Sequence, residues 1–137
     1  MSGLVPELSI SIVSHRQGDL VARLLHDIAT HCNGIPFEVI LTLNLSEQLP
    51  FDPASFPFPV KTVWNESRKG FGQNHNAAFR QAQGRYFCVL NPDVRLQADP
   101  FPRLLAEFRD AGIGVVAPRI VDERGNPEDN ARNLPAP

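Results

Sequence analysis

Long apolar stretches are missing from this sequence of 137 residues. Apolar runs such as residues 8–13 and 113–117 fall far short of the roughly 20 residues that a membrane-spanning helix needs. The N-terminal segment also lacks the basic start and the small-residue cleavage pattern of a secretion signal. We therefore expect a cytoplasmic protein without a transmembrane segment, in which peripheral attachment to a membrane stays open.

A dominant charge of either sign is missing too, because 13 Lys and Arg residues stand against 15 Asp and Glu residues and the formal net charge is −2. The basic residues are scattered, whereas a protein that binds DNA or RNA usually concentrates them on one face. We therefore expect no nucleic-acid partner.

Cysteine is scarce, with Cys32 and Cys88 far apart and outside any CxxC or His/Cys spacing. This pattern argues against a disulfide scaffold and against a zinc site, so we expect two buried thiols. The sequence also lacks a Walker A loop, a GxGxxG fingerprint and a GxSxG elbow. P-loop, dinucleotide-binding and serine-nucleophile functions therefore have no motif to support them.

The sequence does contain short apolar runs that alternate with segments of helical spacing. The predicted strands are residues 8–13, 37–43, 60–64, 86–90 and 112–117, and the predicted helices follow the first, third and fourth of them. The prolines of residues 50–59 exclude a helix there, and we expect Gly84 to end the second helix. This alternation predicts an α/β fold with a mostly parallel sheet and helices on both faces. We expect residues 1–137 to form a single domain that ends in a polar hairpin or tail, residues 121–137.

Polar residues follow each of the first four predicted strands, in residues 14–16, 44–47, 65–72 and 91–93. In an open parallel sheet, ligands bind at the carboxyl ends of the strands, near the point where the strand order reverses. These four segments are therefore the candidate binding loops.

Asp93 is the candidate metal ligand, because it follows a buried strand and would be held rigidly at the ligand edge of the sheet. Mg²⁺ and Mn²⁺ prefer one or two carboxylates together with phosphate oxygens and water. One well-placed carboxylate can therefore tether a metal–diphosphate. The alternative is that Asn91, Pro92 and Asp93 form an ordinary turn, which all three favour.

Other candidate ligands lie in the first and third loops. Gly70 and Gly72 precede a predicted helix whose first N–H groups can face a phosphate, or they permit a tight loop and nothing more. Asn76 is a hydrogen-bonding ligand or a helix cap. Ser14 can read a base edge through its backbone, and His15 can stack on a base, unless it is an ordinary surface residue.

Taken together and in order, these segments resemble the family-2 glycosyltransferases, particularly the bacterial rhamnosyltransferase-like members. The matching stretches are residues 8–16, 65–77, 82–94 and 117–125, which cover nearly the whole chain. The second stretch is similar to the family's Asn, Gly-Phe-Gly and Asn-x-Ala pattern, carried here by Asn65, Gly70, Phe71, Gly72, Asn76 and Ala77.

The resemblance implies a GT-A-like three-layer α/β/α sandwich of the nucleotide-diphospho-sugar transferase type. It implies transfer of a sugar, with inversion and with help from Mn²⁺ or Mg²⁺, from a nucleoside-diphosphate sugar such as dTDP-rhamnose or a UDP-sugar to a saccharide or lipid-linked acceptor. A role in bacterial cell-wall polysaccharide biosynthesis goes with it. The implied donor-binding residues are Ser14, His15, Asn44, Gly70, Gly72, Asn76 and Asn91, with Asp93 on the metal.

The sequence departs from the family in two ways. Leu43 occupies the position where the family usually has an Asp that recognises the nucleoside. An inverting transfer also needs a general base, and the carboxylates considered for it, Asp122, Glu123, Glu128 and Asp129, lie in the polar hairpin or tail. We therefore expect the donor-binding half of an enzyme, without acceptor site or catalytic base and inactive by itself. A degenerate binding or assembly module and a nucleotidyltransferase-like domain stay as alternatives, and self-association stays open.

Overall fold

The computed structural model describes residues 5–107 of the chain. The chain divides into two compact units, Met1–Pro102 and Arg103–Pro137, and the fold described here is that of the first. The predicted strand at residues 112–117, the polar segment 121–137 and its four carboxylates lie outside the described residues, so these predictions stay predictions.

The described elements alternate between strand and helix as the sequence predicts. They are β1 (Leu8–Ser14), α1 (Gly18–His31), β2 (Phe37–Leu43), β3 (Val60–Trp64), α2 (Phe71–Gln81), β4 (Tyr86–Leu90) and α3 (Phe101–Glu107). The proline-rich segment forms one turn of 3-10 helix, Pro53–Ser55, although the sequence predicted no helix of any kind there. The Asp52 carboxylate makes this turn possible by accepting a hydrogen bond from the Ala54 N–H at 2.9 Å.

The four strands of the described part form one parallel sheet in the order β3-β2-β1-β4. The chain therefore moves outward from β1 to β3 and then returns to the other side of β1. The connection from β1 to β2 through α1 and the connection from β3 to β4 through α2 run in opposite directions along the sheet. Because such crossovers are right-handed, the two helices lie on opposite faces of the sheet, which gives three layers. The strand order reverses between β1 and β4, where a ligand is expected to bind.

The core lies mainly between β1, β2 and the apolar stripe of α1. Every residue of β1 is buried, and α1 contributes Val21, Leu24, Leu25 and Ile28, all fully buried. Burying side chains of this size stabilises the fold by about 1.5–3 kcal/mol each relative to exposing them. None of the helices within residues 5–107 combines the length and the apolarity needed to cross a bilayer.

Two glycines have structural roles that differ from those predicted. Helix α2 ends at Gln81, so Gly84 does not end it. Gly84 instead lies against β1, where a Cβ would come within 2.6 Å of the Ser9 backbone nitrogen. At the other end, Gly70 is the N-cap, and α2 begins at Phe71, so Gly72 belongs to the first turn and not to the preceding loop.

Candidate functional site

A groove of about 250 Å³ opens where the strand order reverses, beyond the carboxyl ends of β1 and β4. The side chains that line it come from the ends of both strands, from the loops that follow them and from α2. They are Val13, His15, Gln17, Phe71, His75, Asn91, Pro92 and Asp93. Three of the eight residues predicted from sequence to bind donor or metal, namely His15, Asn91 and Asp93, are therefore brought to one groove.

The segment after β4 is a turn and also part of the groove. The Val94 N–H donates to the Asn91 carbonyl at 3.1 Å, and the turn that this bond closes has Pro92 at its second position. Proline is favoured there because its fixed φ suits the turn. Asp93 is exposed and lines the groove. The two interpretations of this segment are therefore compatible, since the turn presents the carboxylate at the edge of the sheet.

An ion pair between the buried Asp27 carboxylate and the exposed Arg95 guanidinium fixes the chain just beyond Asp93. Asp27, on the buried stripe of α1, accepts hydrogen bonds from Arg95 Nε at 2.8 Å, from Arg95 Nη2 at 3.2 Å and from the Leu96 N–H at 3.0 Å. The hydrogen bond from the Arg95 guanidinium holds the pKa of Asp27 below its usual value, against the opposing effect of burial. Asp27 therefore anchors the segment that carries the candidate metal ligand.

Asn44 clamps the loop after β3 onto the end of β2. Its Oδ1 accepts from the Lys69 N–H and from Asn65 Nδ2, both at 2.8 Å, and its Nδ2 donates to the Lys69 carbonyl at 2.8 Å. Because the backbone N–H of Lys69 can only donate, the orientation of the amide is fixed. Nδ2 also lies 3.1 Å from His15 Nδ1, which accepts from it.

Asn44 is 1% exposed, so its hydrogen-bonding capacity is used inside the protein. Two donor hydrogens and two lone pairs are all that an amide side chain offers to good partners. These hydrogen bonds position the β3 loop and His15. The predicted contact of Asn44 with the donor stays a prediction.

Ser14 is likewise buried and hydrogen-bonded to neighbours. Its hydroxyl donates to Glu47 Oε2 at 2.7 Å and accepts from the Gln17 N–H at 3.0 Å. The same Glu47 oxygen accepts from the Arg16 N–H at 3.0 Å, and Arg16 has a left-handed φ of 60°. A non-glycine residue in that region costs free energy and is often found beside a functional site. Glu47 thus fixes the loop that carries His15.

His75 is a groove residue with an incomplete set of hydrogen bonds. It is 6% exposed, and its Nδ1 lies 2.8 Å from Ser11 Oγ. Its Nε2 is buried and has no hydrogen-bond partner among residues 5–107. Burial lowers the pKa of His75 below its usual value, so the ring is neutral at neutral pH. The Phe71 ring packs edge-on against it at 4.4 Å between centroids.

Like Ser14 and Asn44, the three predicted donor-binding residues of α2 and its N-cap lie outside the groove lining. Gly70 caps α2, and its N–H donates to Gln73 Oε1 at 3.1 Å. Gly72 and Asn76 are exposed on α2, and a Cβ on Gly72 would meet nothing within 4 Å. Their predicted roles stay predictions.

The charge on the groove lining favours a metal-bound anion over a free one. Asp93 supplies a carboxylate, and neither Lys nor Arg is among the residues that line the groove. A diphosphate next to a carboxylate is repelled unless a divalent cation lies between them. No group of three His, Cys, Asp or Glu side chains converges anywhere in residues 5–107. A metal at Asp93 would therefore complete its coordination with phosphate and water oxygens, which suits Mn²⁺ or Mg²⁺.

The two cysteines do not fit a nucleophilic role. Cys32 is buried and Cys88 is half-buried, and both are free thiols. Burial raises the pKa of each to about 12. The reactive thiolate form is therefore scarce at neutral pH.

His75, Asp27 and Glu47 were not identified from the sequence as parts of the site. The sequence contains an indication of the first two. His75 lies four residues after Phe71 and three before the buried Ala78, on the face of α2 that packs on the sheet. Asp27 falls within the apolar stripe of α1, where a lone charge implies a partner. Nothing in the sequence pairs Glu47 with Ser14 and Arg16, because that contact joins two loops through the fold.

Comparison with known proteins places these features in a family context. The family described as "Glycosyl transferase family 2" matches residues 9–136. The succinoglycan biosynthesis protein ExoO of Rhizobium meliloti is 23% identical over 118 residues, covering 85% of this chain and 34% of that protein. The dolichol-phosphate mannosyltransferase of Pyrococcus furiosus is 20% identical over 118 residues, covering 84% of this chain and 34% of that protein. The chain thus spans about a third of the length of these relatives.

Two solved structures share the fold. Residues 1–349 of S. aureus TarS, in complex with UDP, align with a TM-score of 0.63 and 18% identity, covering 81% of this chain and 38% of that one. The mannosyltransferase PcManGT from Pyrobaculum calidifontis, in complex with GDP-Man and Mn²⁺, aligns with a TM-score of 0.57 and 19% identity, covering 70% of this chain and 30% of that one. The predicted GT-A-like α/β fold with a mostly parallel sheet is confirmed.

Proposed function

The chain belongs to glycosyl transferase family 2, and from that premise we propose that it forms the donor-binding part of a sugar-transferring enzyme. The donor is a nucleoside-diphosphate sugar, and the acceptor is a saccharide or a lipid-linked saccharide. The observation that carries the proposal is the position of Asp93, which lines the groove at the point where the strand order reverses.

The proposed donor lies across the carboxyl ends of β1 and β4. Its nucleoside contacts the His15 side of the groove, and its diphosphate lies towards Asn91 and Asp93. Ser14 and Asn44 act through the loops that they hold, Ser14 through Glu47 and Asn44 through Lys69 and His15. Gly70, Gly72 and Asn76, on the first turns of α2, are proposed as outer contacts of the same donor.

Asp93 is the residue proposed to hold the divalent ion, either Mn²⁺ or Mg²⁺. When bound, such an ion neutralises charge that develops on the departing nucleoside diphosphate. The exposed carboxylate, the absence of Lys and Arg from the groove lining and the need for phosphate oxygens as further ligands all support this assignment. The PcManGT structure, which holds GDP-Man and Mn²⁺, is consistent with it.

In the proposed transfer, the acceptor hydroxyl oxygen forms a bond to the anomeric carbon while the bond from that carbon to the diphosphate breaks. The hydroxyl proton passes to a general base, and attack from the face opposite the diphosphate inverts the configuration. We assign no residue among 5–107 to the base. Binding of donor, and not turnover by this chain alone, is therefore the activity to measure.

Calorimetric titration of the 137-residue chain with dTDP-, UDP- and GDP-sugars, each with Mn²⁺, tests the proposal. We expect heat from one or more of these donors in the presence of Mn²⁺ and much less after chelation of the metal. A folded sample that gives no heat with any of them would overturn the assignment.

A second candidate function is a binding or assembly module that keeps the fold but performs no transfer. Leu43 favours it, because a leucine 1% exposed in the core cannot hydrogen-bond a nucleoside. Sugar transfer by this chain to any saccharide or lipid acceptor would exclude this candidate. A bacterial cell-wall role and a rhamnosyl donor belong to the first candidate, and competition among dTDP-, UDP- and GDP-sugars addresses the donor directly.

A further inference from the structure

His75 carries a hydrogen-bonding nitrogen that the fold buries and leaves unused. The side chain is 6% exposed, lines the groove, and has no hydrogen-bond partner for Nε2 among the described residues. A buried polar atom without a partner destabilises the folded state, so folded proteins rarely keep one unless it serves another purpose.

Ser11 determines which hydrogen-bonding role is open to that nitrogen. Its hydroxyl is fully buried and, within residues 5–107, forms a hydrogen bond with His75 Nδ1 at 2.8 Å and with no other group. The hydroxyl proton is satisfied only if it is donated to Nδ1. The ring proton of the neutral imidazole then lies on Nε2, which becomes a donor.

The surroundings of His75 suit an uncharged ligand group. Val13, Phe71 and Pro92 supply apolar walls, and Asp93 supplies the carboxylate of the lining. Phe71 is 61% exposed although it packs at 4.4 Å from the imidazole. Because the Phe71 side chain is largely exposed, a flat ring of a ligand would reach His75 if the Phe71 ring turned towards solvent.

We propose that His75 is a specificity-determining residue of the donor site, whose Nε2–H donates to a neutral oxygen of the nucleoside, on its base or its ribose. This assignment rests on the proposed donor site and adds the residue that distinguishes a nucleoside diphosphate from a bare pyrophosphate. Ser11 is its positioning residue, because it fixes the tautomer through Nδ1.

Two substitutions separate the two ring nitrogens. The amide of His75→Asn reaches the position of Nδ1, next to Ser11, and leaves the Nε2 position empty. The longer amide of His75→Gln reaches the position of Nε2. Affinities of both variants and of the unmodified chain are measured with Mn²⁺ for two ligands, the nucleoside diphosphate that binds best and inorganic pyrophosphate.

We expect His75→Asn to lose about tenfold in affinity for the nucleoside diphosphate, as expected when one buried donor is removed. His75→Gln stays within about threefold, and pyrophosphate binds all three proteins alike, which also shows that the variants are folded. Equal nucleoside affinity in all three proteins overturns the role of His75 and leaves the donor site intact. An equal loss for pyrophosphate moves the contact to the diphosphate and overturns the nucleoside assignment.

A measurement on the unmodified chain covers the case in which a variant fails to fold. The ¹⁵N resonance of His75 Nε2 should shift when the nucleoside diphosphate binds with Mg²⁺ and stay in place with pyrophosphate. If the Nε2 resonance does not shift when the nucleoside diphosphate binds, the proposal is contradicted. If no nucleotide binds the unmodified chain at all, the proposed function fails and this inference fails with it.

Discussion

At the scale of single residues, Asp93 is the side chain proposed to bind the metal. Replacement of its carboxylate by an amide in Asp93→Asn removes the negative charge that a hard cation requires. We expect the affinity for the metal–nucleotide complex to fall by at least about tenfold, with the free energy of unfolding little changed because Asp93 is exposed. Calorimetric titration with Mn²⁺ and the best donor measures the affinity.

Glu7→Gln is the matched control for Asp93→Asn. It removes one exposed carboxylate next to the amino end of β1, at the edge of the sheet opposite the groove. Its affinity should equal that of the unmodified chain. An equal loss in both variants would mean that the net charge of the protein, and not a metal ligand, governs binding.

Asn44 holds the loop after β3 through hydrogen bonds of its side chain. Asn44→Ala leaves the Lys69 N–H without its partner and removes the hydrogen bonds of Asn44 to the Lys69 carbonyl and to Asn65, which each keep one to Asn74. We therefore expect the free energy of unfolding to fall by about 2 kcal/mol. Urea unfolding followed by circular dichroism measures it. The control, Asn76→Ala, removes an exposed amide and should change stability by less than about 0.5 kcal/mol. Similar losses in the two variants would contradict the clamp.

At the scale of elements, Gly84 sets how closely the segment between α2 and β4 approaches β1. A Cβ at this position would lie 2.6 Å from the Ser9 backbone nitrogen and 2.7 Å from the Leu8 carbonyl carbon. Because backbone cannot move aside as a flexible side chain can, we expect Gly84→Ala to destabilise the fold by about 1–3 kcal/mol. Thermal and urea unfolding measure the loss.

Gly72→Ala provides the comparison on the helix itself. A Cβ there meets nothing within 4 Å, and alanine is the better helix former, so stability should hold or rise by about 0.5 kcal/mol. If Gly84→Ala lowers the free energy of unfolding no more than Gly72→Ala does, the segment does not approach β1 as closely as described.

The contact between α1 and the segment after Asp93 predicts a defined pH dependence. The pKa of Asp27 is lowered, chiefly by the hydrogen bond from Arg95, so the folded state favours the charged carboxylate. The resulting stability is present above the ordinary aspartate pKa of about 3.9 and is lost as the pH falls through the lower value of the folded state. Urea midpoints at pH 7, 4 and 3 should therefore decrease more steeply in the unmodified chain than in Asp27→Asn. If the difference in urea midpoint between the two proteins stays constant across these pH values, the ion pair does not contribute as described.

Glu38 also contributes stability that is lost as the pH falls. Burial raises its pKa, but the hydrogen bonds from Ser9 and Gln83 and the ion pair with Lys61 outweigh this effect and lower it. This contribution is the same in both proteins and cancels in the comparison. The difference between the two curves therefore reports Asp27 alone.

At the scale of the whole molecule, periodicity predicts the fold well and the site in part. Strands β2, β3 and β4 have the predicted bounds, because apolar runs of strand length flanked by turn residues leave few alternatives. Asn91 and Asp93 line the groove, a position that could be predicted because they directly follow an apolar strand, although β4 is mostly half-buried. The ends of elements are harder to predict, as the start of α2 at Phe71 and the role of Gly84 show, since both depend on a neighbouring element.

The remaining parts of the site depend on contacts that join distant parts of the chain. Asn44 meets Lys69, Ser14 meets Glu47, and Ser11 meets His75, each across more than 20 residues of sequence. Residue type alone does not reveal whether a polar side chain is free to bind a ligand or is already hydrogen-bonded to such a partner. The structure separates the two cases, because the amide of Asn44 is fully bonded whereas Nε2 of His75 lacks a partner among residues 5–107.

Paramagnetic broadening by Mn²⁺ tests the position of the metal most directly. In ¹H–¹⁵N spectra of the chain with the best nucleoside diphosphate and a trace of Mn²⁺, the amide signals of Asn91 and Asp93 should broaden first, followed by those of His15 and His75. Asp93→Asn should abolish this pattern. Broadening centred on another part of the sheet edge, such as Asp52 and Trp64, or broadening that persists unchanged in Asp93→Asn, would contradict a metal–diphosphate site at the end of β4.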